Sequence, residues 1–167
     1  MNQKLSDMAK IESSVDTLKN TFRNHAAGVA VITMLDKDDQ PVGFTATSMS
    51  SLGANPALAS FNVASGSSTW PSLCSATWVA IHTLGENNQA LAQKMATDHT
   101  KRFLDDDWEF GPRGLPIFPG VTSVAIAMIR EIHNVENNAV VIVDVIEGLT
   151  GVEQRPLIYF QRGYLVG

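Results

Sequence analysis

Apolar and polar residues follow two different rhythms along this chain. In residues 14–22, Val15, Leu18 and Phe22 recur at spacings of three and four behind Ser14 and Asp16, which predicts an amphipathic helix lying against the end of a β-rich body. Residues 85–97 repeat the pattern with Leu91, Ala92 and Met95 after Glu86-Asn87-Asn88. Elsewhere the apolar runs are short, β-branched and bounded by turn formers. Residues 28–35 and 42–49 predict a hairpin about the polar segment 36–41, and 57–63 and 78–84 predict a third and a fourth strand. Two longer runs, 121–133 and 140–148, are joined across 134–138, and a last strand covers 157–164. Between them, residues 100–120 read as a long loop with Pro112, Pro116, Pro119 and the acidic run Asp105-Asp106-Asp107, a kind of segment that often carries function. Many short strands with two or three helices predict a mainly β fold, a barrel with peripheral helices.

Size narrows this to one unit. The chain has 167 residues with 44% hydrophobic content, enough for one well-buried core and too few for two ordinary domains, so residues 1–167 read as a single domain with 1–13 a flexible start. A charged fraction of 17% leaves room for an apolar interface, and a net charge of −5 without a dense Lys/Arg cluster argues against tracking nucleic-acid phosphates. Cys74 is the only cysteine, which excludes an intrachain disulfide, and it reads as a buried structural thiol. Residues 1–20 lack a signal-peptide pattern, and the longest apolar runs fall far below membrane-spanning length, so the expected location is cytoplasmic.

Most familiar catalytic motifs are absent from the chain. There is no GxGxxG at a strand-to-helix turn, no Walker sequence and no GxSxG elbow. His25, His82, His99 and His133 are scattered without metal-ligand spacing, no metal is expected, and the three aspartates read as a solvated loop. A heme barrel lacks an evident axial ligand. Two segments rich in hydroxyls stand out instead. Thr45, Thr47, Ser48, Ser50 and Ser51 are spaced so that an extended backbone presents hydroxyls and peptide groups along a sheet edge, as the pyrimidine side of a flavin ring requires. Ser67-Ser68-Thr69 stand directly before Trp70-Pro71, a helix-start signal, where N–H groups and hydroxyls suit a phosphate.

The order of these segments resembles a known family. Phe22-Arg23, residues 28–33, the run from Pro41 to Ser48, Ser68-Thr69-Trp70-Pro71, Lys101-Arg102-Phe103, Trp108, Gly111-Pro112, Gly114-Leu115-Pro116 and residues 156–159 are together similar to the flavin reductase-like family of FMN-binding split barrels. The resemblance runs from about Leu18 to the end. It departs from the family pattern at Thr47 and Met49, which stand where Asn and an aromatic are usual, and at His82, where Asn is usual and a satisfied core histidine is the expectation.

The resemblance implies a Greek-key-like split barrel, a homodimer, and FMN or FAD reduced by NADH or NADPH for delivery to a flavin-dependent monooxygenase. It implies that Thr45, Ala46, Thr47, Ser48, Ser50, Ser51 and Leu52 line the isoalloxazine ring. Ser67, Ser68 and Thr69 would hold the phosphate, Lys101 and Phe103 would lie on the ribityl and phosphate side, and Trp70 and Arg102 complete the implied cofactor-binding set. No side chain need act as a catalytic nucleophile or base, because the flavin carries the chemistry. The family's Gly-Asp-His between the two long strands is replaced by Glu136-Asn137-Asn138, and His133 lies five residues too early to substitute. Asn138 therefore marks the nicotinamide region. The alternative is a flavin-binding barrel without efficient NAD(P)H reductase activity, acting as carrier, sensor or another oxidoreductase.

Overall fold

The computed structural model describes residues 13–166, so the expectation of a flexible start at residues 1–13 falls outside it except for Ser13. The chain runs α1 (Ser14–Arg23), β1 (Ala27–Gly28), β2 (Ala30–Leu35), β3 (Pro41–Ala46), β4 (Ser50–Ala54), β5 (Ala57–Ala64), α2 (Trp70–Ser75) and β6 (Trp78–Thr83). A 3₁₀ turn (Glu86–Asn88) leads into α3 (Gln89–Ala96), and the predicted loop carries two more such turns and the short pair β7 (Glu109–Phe110) and β8 (Pro116–Ile117). The long strands β9 (Ser123–Val135) and β10 (Asn138–Thr150) follow, then β11 (Leu157–Phe160) and β12 (Gly163–Val166).

Seven strands make one antiparallel sheet in the order β3-β2-β6-β9-β10-β5-β4, with β1-β11-β12 as a smaller sheet beside it. The expected mainly β, split-barrel architecture is what the chain adopts. Its split follows from the β9–β10 hairpin. Residues 123–128 of β9 pair with β6, whereas residues 138–144 of β10 pair with β5, so the two half-sheets grow from opposite ends of one hairpin. Irregularities at Ile142/Val143 and Val145/Glu147 let the 13-residue strand bend between the two directions.

The central strands β2 and β6 are apolar without alternation because both faces are buried. Ala30, Ile32, Val79 and Ile81 point into the barrel interior with Phe61, Val141 and Leu73. Val31 and Ala80 face outward into a second cluster with Met95, Phe118, Val121 and Leu157, where α3 and the segment 103–121 cover the sheet. A buried Thr33 hydroxyl ties that cover down, donating to the Pro116 carbonyl at 2.6 Å. The helix α1 begins as predicted, with the Ser13 hydroxyl accepting from the Asp16 N–H. It does not lie against the barrel end. Val15, Leu18 and Phe22 are 56–64% exposed, because only the end of the helix is anchored to the body, through the Gln161 N–H to the Arg23 carbonyl.

Candidate functional site

A cleft of about 350 Å³ opens where the two margins of the large sheet approach each other. The chain leaves the β3 ladder at Ala46 and crosses toward β5, where the Ser48 hydroxyl accepts from the Asn62 N–H at 2.9 Å and donates to the Asn62 carbonyl at 3.3 Å. Beyond β5 the backbone turns sharply. The Ser65 N–H donates to the Asn137 carbonyl and the Ser67 N–H to the Ala64 carbonyl, so Ser67, Ser68 and Thr69 return to the cleft wall. Thr69 is buried, and its hydroxyl meets that of Ser67 at 3.2 Å instead of capping α2. The helix starts at Trp70-Pro71 as the sequence signals, but without a side-chain cap, since the Thr69 backbone near φ −88° and ψ −11° is not the extended geometry a capping side chain uses.

The third wall is a cation. Arg102 follows the 3₁₀ turn His99–Lys101, and its guanidinium is held by three bonds: Nε and Nη2 to the Thr97 carbonyl at 3.1 and 2.6 Å, and Nη1 to the Gly43 carbonyl at 2.7 Å. Five N–H groups are available, so one remains on each terminal nitrogen. Among the described residues Arg102 has no carboxylate within salt-bridge distance, and burial lowers its pKa from the ordinary value, with Asp98 partly offsetting this. Gly43 suits its place because a Cβ there would come within 2.7 Å of the Met95 methyl and 2.8 Å of the Ile32 carbonyl oxygen.

Of the residues singled out from the sequence, Thr45, Ala46, Thr47, Ser48, Ser67, Ser68, Thr69 and Arg102 line this cleft together. The Thr45 hydroxyl is already engaged, donating to the Ala92 carbonyl at 2.6 Å. Ser50 and Ser51 face a separate apolar cavity of about 290 Å³ that starts at Met49, the next residue after Ser48. Leu52 is exposed and lines none of these cavities, and Trp70 packs against the interior cluster; on the same helix Cys74 is exposed, contrary to the expected buried thiol, because α2 buries Leu73 instead. Lys101 is exposed and faces none of them; Arg102 is the cation that does. Phe103 borders an adjoining cavity. Asn138 is exposed at the start of β10 and pairs across the ladder with Ala64, a residue of the cleft wall.

Sequence reasoning missed Asn62, a polar residue inside an otherwise apolar strand. It also missed the hydroxyl cluster at the edge of the apolar cavity, where the Thr83 hydroxyl lies 2.6 Å from those of Thr122 and Ser123. His82 is buried and satisfied on both sides: Nδ1–H donates to the Val31 carbonyl at 3.1 Å, and Nε2 accepts from the Phe118 N–H at 3.2 Å. Desolvation lowers its pKa to about 4, so the neutral ring is the native form. Among the described residues no three His, Cys, Asp or Glu side chains gather into a metal-binding group, and no helix is long and apolar enough to cross a membrane. The arrangement can grip an anion at one end and offer hydroxyl and peptide groups to a flat polar ring beyond it; it presents no paired nucleophile and base.

Relatives share this architecture. The chain is 41% identical over 122 residues to the NADH:FMN oxidoreductase of Rhodococcus erythropolis, covering 72% of this chain but only 63% of that protein. It is 24% identical over 150 residues to the flavin-dependent monooxygenase reductase subunit HsaB of Mycobacterium tuberculosis, covering 89% of this chain and 80% of that one. The crystal structure of a flavin reductase domain protein from Arthrobacter sp. FB24 superposes with a TM-score of 0.88 at 43% identity, covering 92% and 95% of the two chains. Residues 22–166 match the profile of the Flavin reductase like domain, nearly the whole chain, and on that match the chain belongs to the flavin reductase-like family.

Proposed function

We propose that this protein is an NAD(P)H-dependent flavin reductase that hands reduced flavin to a monooxygenase. The observation that carries the reading is Arg102, a cation with no carboxylate partner among the described residues, beside the hydroxyls of Ser67, Ser68 and Thr69. That donor set fits a phosphate monoester, whose oxygens accept charge-assisted hydrogen bonds. From there the cleft wall continues through Thr47 and Ser48 to Met49, where the apolar cavity with its rim of hydroxyls suits a flavin ring. Bound in this way, a flavin supplies hydride-accepting chemistry at its N5, and the protein's own work is to place and shield it. Ser48 and Asn62 keep the margins of the cleft together, and Arg102 neutralises the phosphate. Asn138, across the ladder from Ala64, is placed to offer a neutral amide to a nicotinamide carboxamide.

Residues 1–167 would act as one unit in the cytoplasm. The exposed apolar stripe of α1 favours a homodimer, in which a second copy covers Val15, Leu18 and Phe22. The names of the Rhodococcus and Mycobacterium relatives support the reductase and monooxygenase roles.

Titration of intrinsic flavin fluorescence tests the reading. The protein should bind FMN in the micromolar range. Arg102→Ala should weaken FMN at least tenfold, the loss of one charge-assisted bond of about 1.5 to 3 kcal/mol, while lumiflavin, which lacks the phosphate, binds as before. No binding of FMN or FAD, or equal losses for FMN and lumiflavin, overturns it. Flavin binding without oxidation of NADH or NADPH would instead point to the carrier or sensor reading, which the replacement of Gly-Asp-His by Glu136-Asn137-Asn138 favours.

A further inference from the structure

The wall built by Ser68, Thr69 and Arg102 has a second side. The same three residues border another cavity of about 260 Å³, closed off by the 36–41 turn, Ser72, His99 and Phe103. Arg102 stands between the two spaces, and a ligand that ended at one phosphate would fill only the first.

The second cavity carries charge of both signs. Arg102 and Asp36 both line it, and Asp36 is on the hairpin turn, half-buried. Asp36 holds the turn with one oxygen only: Oδ1 accepts from the N–H groups of Asp38 at 2.8 Å and Gln40 at 2.9 Å. Among the described residues Oδ2 makes no hydrogen bond. A carboxylate oxygen left open in a cavity is an acceptor suited to a pair of sugar hydroxyls, as in dinucleotide sites where an acidic residue takes the ribose. Gln40 adds a side-chain carbonyl, since its amide nitrogen donates to the Asp38 carbonyl, and Phe103 adds an apolar wall for a purine.

We infer that this cavity is a subsite for the adenylate half of a dinucleotide, with the second phosphate on Arg102, the ribose hydroxyls on Asp36 Oδ2 and the base between Gln40, His99 and Phe103. FAD is the expected occupant, in continuity with the phosphate wall. The inference rests on the flavin reading above and goes beyond it, because it selects the dinucleotide over the mononucleotide.

Two variants test it by fluorescence titration with FMN and FAD. Asp36→Asn keeps the Oδ1 acceptor that shapes the turn and replaces the open oxygen with an amide donor. Ser72→Leu fills the cavity from the first turn of α2 without touching the cleft. In the wild type FAD should bind at least threefold more tightly than FMN. Each variant should weaken FAD at least fivefold and leave FMN unchanged. If instead the flavin affinities hold and each variant raises the KM for NADH at least fivefold, the subsite takes the adenylate of the nicotinamide dinucleotide, and the assignment to FAD is overturned. FAD no tighter than FMN together with unchanged KM for NADH in both variants, or equal losses for FMN and FAD, overturns it. Absence of FMN binding in the wild type removes the parent reading first, a separate outcome seen in the same titration.

Discussion

Lowering the pH should destabilise this protein through one buried ring. His82 titrates at about 4 in the folded chain against 6.5 when solvated, because neither face of the imidazole meets water and both nitrogens already have backbone partners. Protonating Nε2 would set a second donor against the Phe118 N–H. The unfolded chain therefore takes up a proton below pH 6.5 that the native state refuses until about 4, so stability is complete above 6.5 and falls progressively as the pH drops between these values. The shift corresponds to about 3 kcal/mol when the loss is complete, and about 2 kcal/mol of it should be gone at pH 5. The carboxylates held below their ordinary values, Glu86, Asp98 and Asp144, are lowered from 4.5, 3.8 and 3.8, chiefly by the Arg155 side chain, the Thr100 backbone N–H and the Arg130 side chain respectively, so their contributions are lost chiefly below the pH range of the assay. The assay is urea unfolding of flavin-free protein at pH 7.5, 6.5, 5.5 and 5.0, beside His82→Gln, which keeps a donor and an acceptor but cannot titrate. The variant starts less stable because it leaves ring volume unfilled, and it should lose about 2 kcal/mol less than the wild type between pH 7.5 and 5.0. Parallel profiles for the two proteins would refute the reasoning.

Gly43→Ala should cost about 1 to 3 kcal/mol in urea unfolding, since the new methyl meets the Ile32 carbonyl as well as the Met95 side chain, and it should weaken FMN by displacing the carbonyl that holds Arg102. Thr33→Val should cost about 1 to 3 kcal/mol by leaving the Pro116 carbonyl without its buried donor; an unchanged unfolding midpoint would contradict this. Ser48→Ala removes both bonds to Asn62 and should raise hydrogen exchange at the Asn62 amide at least tenfold, read by NMR, while the amides of β2 stay protected. Replacing Leu18 and Phe22 by Glu should turn a sedimenting dimer into a monomer at micromolar concentration with the barrel still folded, because neither side chain is buried within its own chain.

Where burial is two-sided or strictly periodic, the fold could be read directly from the residues. The runs around Val31 and Ile81 and the long hairpin are strands for the reason their composition suggests, burial on both faces of the sheet. Strand β4 was legible only as a sheet edge, since Ser50-Ser51-Leu52-Gly53-Ala54 is exposed throughout and has no apolar side for a period to mark. The last predicted strand is in fact a hairpin. Its turn at Gln161-Arg162 uses positive φ at two residues that carry no turn signature, so nothing in the sequence announces the reversal. The hydroxyl segments of the site were visible, but the choice between adjacent Lys101 and Arg102 was not. It is settled by a short 3₁₀ turn that points Arg102 at the Thr97 and Gly43 carbonyls, groups 5 and 59 positions away in the chain. Pairing of that kind has no local period.

The contact between Ser48 and Asn62 gives the barrel a zip line. Elsewhere neighbouring strands share ladders of backbone bonds, whereas here one side chain bonds twice to one backbone residue, and the cleft runs along the same line. A molecule lying in the cleft would face both margins and could stand in for the missing rungs. The resistance of this seam to parting and the grip on the bound molecule are then two readings of one quantity. If the protein delivers flavin as proposed, uptake and release could both proceed by loosening this single stitch, with the rest of the sheet left as it is.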